Sequence, residues 1–268
     1  MIGTVFIGYD AREDEAAQVA AFSLRRRATC HLRIYALEHR LLRRLGLFTR
    51  PWRIDKSGQF YDEQDTRPFS TEFSHSRFLV FDLAQRLKTQ GPCMFVDCDW
   101  LFQADVEPLL METAKSGEEI GVVDRERTVA EGSTKMDGMV QQNYHRKLWS
   151  AMFTFMPDAG LAERFNPTDV SKATGRDLHS FLGMADTKFW PIDPAWHFIP
   201  SLDEKPEQIK GIHYSEFSPW INPDKFSLYP DTFWAWEDER AAMVQQKAKQ
   251  KNLRIYDNLE HDLSVANA

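Results

Sequence analysis

The chain opens with a strand, a helix and a second strand, an order that restricts it to few architectures. Thr4-Val5-Phe6-Ile7-Gly8 is a short β-prone apolar run closed by glycine, and Tyr9 to Glu13 reads as a loop. Glu13 to Ala28 then sets Ala16, Val19, Ala20, Phe22 and Leu24 at helical spacing. Acids lie at its start and Arg25, Arg26 and Arg27 at its end, as the helix dipole favours. Leu32 to Leu37 reads as the next strand. Parallel neighbours need a crossover helix, so this order predicts a parallel-sheet α/β fold.

The remaining elements are consistent with that fold. Phe78 to Leu87 predicts a helix buried on one side, ended by Gly91-Pro92. A strand follows and runs into Asp97-Cys98-Asp99, and further strands are expected at Ile120 to Val123 and Ser150 to Met156. Residues 55–70 are polar and read as a loop over the sheet, whereas Glu237 to Lys251 predicts an amphipathic helix. Beyond Phe189 the chain is rich in Trp and Pro, with Trp190, Trp196, Trp220, Trp234 and Trp236. Aromatic faces suit sugar rings, yet core packing is the simpler role for most of these. There is no internal repeat and no clear linker, so one domain over 1–268 is expected.

Hydrophobic residues at 43% and charged residues at 27% fit a globular chain, and no apolar run reaches membrane-span length. The start, Met1-Ile2-Gly3-Thr4, lacks a basic leader. Cys30, Cys93 and Cys98 have neither metal-type spacing nor an even count. Reduced thiols and a cytoplasmic location are the expectation. Net charge is −7, but residues 1–60 hold 11 Arg/Lys against 6 Asp/Glu, a local excess of +5. The excess gathers at Arg25, Arg26, Arg27, Arg33, Arg40, Arg43, Arg44, Arg50 and Arg53. A solvated face is the plain reading and a patch for an anionic partner the sharper one. The acidic total argues against tight non-specific DNA binding.

Chemistry concentrates at Asp97 and Asp99, two carboxylates at the end of an apolar strand. Residues two apart on a strand project the same way, and an α/β sheet binds ligands at its carboxyl edge. Two such carboxylates suit a hard divalent cation with room for phosphate oxygens, hence a metal-bridged nucleotide diphosphate. His213, in Gly211-Ile212-His213-Tyr214, is a third candidate ligand, since manganese accepts mixed nitrogen and oxygen donors. Apart from His179, no other histidine stands in a comparable context.

Several blocks recur in a characteristic order. They include Ser74-His75-Ser76-Arg77-Phe78-Leu79, Asp97-Cys98-Asp99 and His213-Tyr214-Ser215-Glu216-Phe217-Ser218-Pro219-Trp220. In this the chain resembles the family-8 nucleotide-sugar glycosyltransferases, relatives of glycogenin and the lipopolysaccharide galactosyltransferases. It is most similar to a group of bacterial and phage glycosyltransferase-like proteins. Those share blocks like Phe69-Ser70-Thr71-Glu72-Phe73, Lys135-Met136-Asp137-Gly138, Arg146-Lys147-Leu148-Trp149-Ser150 and Asp177-Leu178-His179. The resemblance spans roughly residues 4–236, and its strength lies in the shared order.

The resemblance implies a GT-A fold, with a mostly parallel, Rossmann-like central sheet flanked by helices. It implies a nucleotide- and metal-binding half over 1–110, a donor-sugar and acceptor half over 111–236, and a C-terminal helix and tail over 237–268. The implied activity is hexosyl transfer from a nucleotide-diphosphate sugar, UDP being the family's common choice, to a glycan or other hydroxyl acceptor, with retention. Mn2+ (or Mg2+) would be held by Asp97, Asp99 and His213. Ile7, Gly8, Tyr9 and Asp10 would line the base and ribose pocket, with Cys98 and Trp220 also beside the donor. Arg77 would hold a phosphate or an aspartate. Asp177 would bind the donor sugar and His179 the sugar or acceptor, unless His179 sits on a helix surface. Lys135 and Asp137 would lie toward the acceptor.

One departure stands out. The family places a lysine just before Pro-Trp, where it meets the diphosphate, and here Ser218 precedes Pro219. Arg77, Arg12, the metal or backbone amides would have to supply that charge. Three other readings stay open: a haloacid-dehalogenase-type phosphatase, disfavoured by a mid-chain Asp-x-Asp; a nucleotide-sugar binder without turnover; and transfer to a modified base of phage DNA.

Overall fold

The structure, a computed structural model, describes residues 2–56, 58–125, 146 and 148–267. Strand β1 (Ile2–Tyr9), helix α1 (Asp14–Arg27) and strand β2 (His31–Glu38) form the expected crossover, with β1 and β2 parallel in the register Ile2↔His31 to Tyr9↔Glu38. The buried side of α1 is mostly small, with Ala16, Ala17, Ala20 and Ala21 beside Val19 and Leu24, which lets neighbouring elements pack closely on the helix. A short helix, α2 (His39–Arg44), follows.

Residues 52–69 correct the loop expected there. They form a small antiparallel sheet of three three-residue strands, β3 (Trp52–Ile54), β4 (Phe60–Asp62) and β5 (Arg67–Phe69). Trp52, Phe60 and Phe69 pack ring to ring, and Trp52 also meets His39. That aromatic cluster supplies the burial that the polar flanking residues cannot. A 3-10 turn at Ser76–Leu79 then leads into α3 (Val80–Arg86).

Next come β6 (Cys93–Val96), β7 (Trp100–Phe102), α4 (Glu107–Lys115) and β8 (Ile120–Val122). After Leu148 the chain continues through β9 (Met152–Phe155), α5 (Ala159–Arg164), α6 (Pro167–Lys172), α7 (Gly175–His179), β10 (Phe189–Pro191), β11 (Gly211–His213), α8 (Pro230–Lys249) and α9 (Leu259–Ala266). Helix α8 begins at Pro230, earlier than the expected Glu237, with proline in its first turn, where a missing N–H costs nothing.

The six-stranded sheet runs β10-β8-β9-β6-β1-β2. Only the β6–β9 and β8–β9 pairings are antiparallel, so β9 alone is reversed in a mostly parallel sheet. Its core is aromatic, with Phe95, Phe153, Phe78, Phe81 and Phe165 in ring contact around β6 and β9.

Five of the nine arginines in the basic excess, Arg25, Arg26, Arg27, Arg44 and Arg50, are ion-paired within the chain. Arg26 and Arg27 pair with Glu239 at 3.5 and 2.7 Å, and Arg25 with Asp257 at 2.8 Å. Arg44 pairs with Glu260, and Arg50 with Asp62 and Asp65. Helix α8 and the segment beyond it are therefore held against α1 by charge as well as packing, which weakens the anionic-partner reading. No described helix is long and apolar enough to cross a membrane.

Candidate metal and donor site

Asp97 follows β6 directly, and backbone bonds clamp its turn from both sides. Asp97 N donates to Ala151 O at 2.9 Å, extending the β6–β9 ladder, while Tyr214 N donates to Asp99 O at 2.9 Å. The second clamp extends the antiparallel pairing of β11 with β7, in which His213 stands opposite Trp100. This two-stranded ladder brings a distant histidine to the aspartate pair. His213 Nε2 lies 3.3 Å from Asp99 Oδ1, and one ligand atom from each of Asp97, Asp99 and His213 falls within 4.8 Å of the others.

All three side chains are buried: Asp97 is 5% exposed, Asp99 4% and His213 2%. The buried Nε2 of His213 makes no hydrogen bond among the described residues. Two carboxylates and an imidazole nitrogen in mutual reach form a donor set that manganese accepts, so these residues fit a divalent cation. Trp100 stacks on the His213 ring at 4.5 Å and 22°, fixing its plane.

His197, which showed no distinguishing context in the sequence, also belongs to this group. Its Nε2 is 2.8 Å from His213 Nδ1, and burial drives its pKa well below the ordinary histidine value. Nothing local in Pro194-Ala195-Trp196-His197 signals this, because the contact depends on the bridge between Phe198 and Ile212.

Arg77 reaches the same place from the turn before α3. Its Nη1 donates to Ser150 O at 2.7 Å and pairs with Asp97 Oδ1 at 2.8 Å, and its guanidinium lies against the rings of Phe73 and Phe95. Of the two roles open to Arg77, the one present here is holding an aspartate. Arg12 is engaged similarly: its Nε and Nη2 donate to Asp10 at 2.9 and 2.6 Å, and Nη2 also donates to Ser70 O. Ser218, in place of the family's lysine, is fully buried, and its hydroxyl makes no hydrogen bond among the described residues.

Ile7, Gly8, Tyr9 and Asp10 lie at the carboxyl end of β1, beside β6 in the register Ile7↔Val96. They therefore share the sheet edge with Asp97. The Ile7 side chain is buried in the core, and at Gly8 any Cβ would run into the Phe73 ring. Tyr9 OH donates to Asp14 Oδ1 at 2.9 Å, and Asp10, buried, accepts from Arg12 and from Glu72 N. The Cys98 thiol points away from its neighbours and donates to Glu13 Oε2 at 2.9 Å. Burial and the nearby Glu13 raise its pKa.

Trp220 lies one layer out, edge-on to Tyr214 and tilted against Trp236. Trp196 and Trp236 are core residues, and Trp234 is exposed. Asp177 is exposed in the first turn of α7, where Thr174 caps it: the Thr174 hydroxyl donates to Asp177 Oδ2 and accepts from Asp177 N. His179 is buried, which corrects the helix-surface alternative. Its Nδ1 lies 2.7 Å from Ser150 Oγ, and its ring meets Phe78 edge to face. Ser150 thus links His179 to Arg77, a connection the sequence did not suggest. Lys135 and Asp137 lie outside the described residues.

A second trio, Asp62, Asp65 and His75, also brings ligand atoms within 4.8 Å of one another. Its space is taken by Arg50, 1% exposed, whose Nη2 is 2.5 Å from Asp62 and 2.8 Å from Asp65. Burial and Arg50 lower the pKa of His75 to about 3. This cluster is a buried ion-pair network that already contains its own cation.

No family model matches the sequence. Protein CDI of Arabidopsis thaliana is 35% identical over 240 residues, covering 88% of this chain and 85% of that protein. The chain belongs to the Protein CDI family. Among solved structures, the galactosyltransferase LgtC, in complex with donor and acceptor sugar analogues, superposes with a TM-score of 0.51 at 12% identity, over 90% of this chain and 95% of that one. The glycosyltransferase GlyE of Streptococcus pneumoniae TIGR4 gives 0.51 at 12%, covering 92% and 63%. The bifunctional WbbM gives 0.54 at 15%, with this chain spanning only 50% of its length. This member of the Protein CDI family therefore has the glycosyltransferase fold of LgtC and WbbM, and the family-8-like resemblance read in the sequence is matched in the fold.

Proposed function

We propose that this protein is a metal-dependent glycosyltransferase. It would move a hexosyl group from a nucleotide-diphosphate sugar, UDP-sugar being the favoured donor, to a hydroxyl of a glycan or similar acceptor, with retention. The convergence of Asp97, Asp99 and His213 at the carboxyl edge of the sheet carries this reading. The fold supports it at the coarser level of sugar transfer.

In this proposal Asp97, Asp99 and His213 hold Mn2+ (or Mg2+), which when bound supplies positive charge at the leaving diphosphate. Arg77 keeps Asp97 oriented through their ion pair. The end of β1, Gly8 to Asp10, receives the nucleoside, and Ile7 and Cys98 contribute through their backbone because their side chains turn inward. Asp177, exposed at α7, would orient the sugar hydroxyls, with His179 behind it tied to Ser150. The acceptor oxygen forms a bond to the anomeric carbon as the bond from that carbon to the phosphate oxygen breaks. The hydroxyl proton passes to that phosphate oxygen, so no side chain is required as nucleophile.

A thermal-shift panel of nucleotide sugars, with and without Mn2+, tests the reading. A donor at 100 times its Kd stabilises the native state by about 2.7 kcal/mol, a rise of roughly 5–10 °C for a chain of this size. A shift that requires Mn2+, with release of the nucleoside diphosphate, supports transferase chemistry. A shift with no turnover against any acceptor would favour a binder, and no shift with any donor counts against both.

A further inference from the structure

We propose that His197 is a positioning residue for His213, accepting the His213 Nδ1–H on its own Nε2 and keeping the His213 Nε2 lone pair aimed at the Asp97–Asp99 side. The inference rests on the metal-site reading above, and the experiment below separates the two.

The two ring nitrogens are 2.8 Å apart and hydrogen-bonded, so one of them carries the shared proton. If His197 Nε2 carries it, His213 Nδ1 must accept, and the proton of neutral His213 then sits on Nε2, which blocks a metal there. If His213 Nδ1 carries it, Nε2 is a free lone pair and a competent ligand. A metal-binding histidine commonly donates its second N–H to a fixed acceptor, which sets both tautomer and ring orientation. His197 is the group placed to be that acceptor, and its own proton then lies on Nδ1, which is buried and has no hydrogen-bond partner among the described residues.

The backbone fixes both rings. His197 N donates to Pro194 O at 2.9 Å, Phe198 N to Gly211 O at 3.0 Å, and His213 N to Phe198 O at 2.8 Å. Trp100 lies against both imidazoles, 4.5 Å from His213 and 4.7 Å from His197. Gly211 makes this possible, because a Cβ there would come within 2.6 Å of Trp100 Nε1. His197 is fully buried, so water does not compete for the shared proton. An imidazole acceptor also orients His213 without adding a third carboxylate to a buried site that already holds two.

The test compares His197→Phe, which keeps a ring but removes the acceptor, with His197→Gln, whose side-chain oxygen can occupy the place of Nε2. Mn2+ affinity is read from the electron paramagnetic resonance signal of free Mn2+, and folding from melting in excess chelator. Phenylalanine is expected to weaken Mn2+ binding about 10- to 100-fold, with glutamine restoring most of it. Long-range 1H–15N spectra of the histidine-labelled, metal-free wild type provide a readout independent of any variant's folding, and His213 is expected as the Nδ1–H tautomer. Wild-type affinity in His197→Phe, or an Nε2–H tautomer at His213, overturns the proposal. Failure of the wild type to bind Mn2+ sinks the metal reading instead, and the tautomer still decides the His197–His213 relation.

Discussion

Arg77 and Asp97 form a buried ion pair at 2.8 Å, and the same guanidinium nitrogen donates to Ser150 O. The first acid of the Asp-x-Asp pair is therefore part of the scaffold as well as a candidate ligand. Asp99 faces His213 instead. The two aspartates look alike in sequence yet belong to different networks.

Asp97→Asn and Asp99→Asn should separate on that basis. Each is expected to lower metal-dependent transfer or donor hydrolysis by at least about 100-fold, the scale seen when a group stabilising transition-state charge is lost. Only Asp97→Asn also leaves a buried guanidinium without its counter-charge. Urea denaturation in chelator should show Asp97→Asn clearly less stable than Asp99→Asn. Equal stability would mean that the Arg77 pair contributes nothing.

Arg50→Met tests the second cluster. Removing the buried cation leaves Asp62 and Asp65 facing each other and His75, at an expected cost of about 3–5 kcal/mol. Arg44→Ala, which breaks the exposed pair with Glu260, should cost only about 0–1 kcal/mol. Comparable losses in the two variants would contradict the ion-pair account.

Acid should destabilise the fold through its buried histidines. His39 Nε2 accepts from both Arg43 Nε and Trp52 Nε1, so it must be neutral, and burial with Arg43 beside it lowers its pKa to about 4. The unfolded chain takes up that proton near the ordinary histidine value of about 6.5, so the unfolded state binds more protons in between. Stability is thus full above pH 6.5 and falls as pH drops toward 4, by up to about 1.4 kcal/mol per unit for this group. Urea midpoints at pH 7 and pH 5 should show the loss, and His39→Gln should flatten the slope by about one proton. An unchanged slope in His39→Gln would refute it.

Asp257 protects an open sheet edge. Its N–H donates to Ile34 O and its carboxylate accepts from Ile34 N, both at 2.7 Å, so it occupies the outer side of β2. Removing residues 251–268 should expose that edge and promote aggregation, measurable by light scattering at concentrations where the full chain stays monodisperse. Asp257→Ala should do so more weakly, since the backbone bond survives.

Reading the sequence succeeded where spacing was local and long. The pattern from Thr4 to Leu37 became β1, α1 and β2, because the strands are short apolar runs buried on both faces and the helix carries a stripe of buried residues at helical spacing. The Asp-x-Asp turn was visible for a similar reason, lying at the end of an apolar run. Strands β3, β4 and β5 were not visible: three residues are too few for alternation, and what holds them is the contact of Trp52 with Phe60 and Phe69. His213 was legible as an imidazole in a short apolar strand, able to complete a site begun by two carboxylates, whereas nothing local marked His197, whose partner is 16 residues away across a bridge. Arg50 read as surface charge because nothing local shows that Asp62 and Asp65 fold over it.

The ion pairs between α1 and the acids Glu239 and Asp257 also bear on how the chain is made. As synthesis proceeds, Arg25, Arg26 and Arg27 leave the ribosome long before Glu239 and Asp257 exist to meet them. The nascent chain therefore carries a bare cationic stretch until its acidic counterpart is translated. A product shortened before Glu239 would keep that stretch without either of its counter-charges.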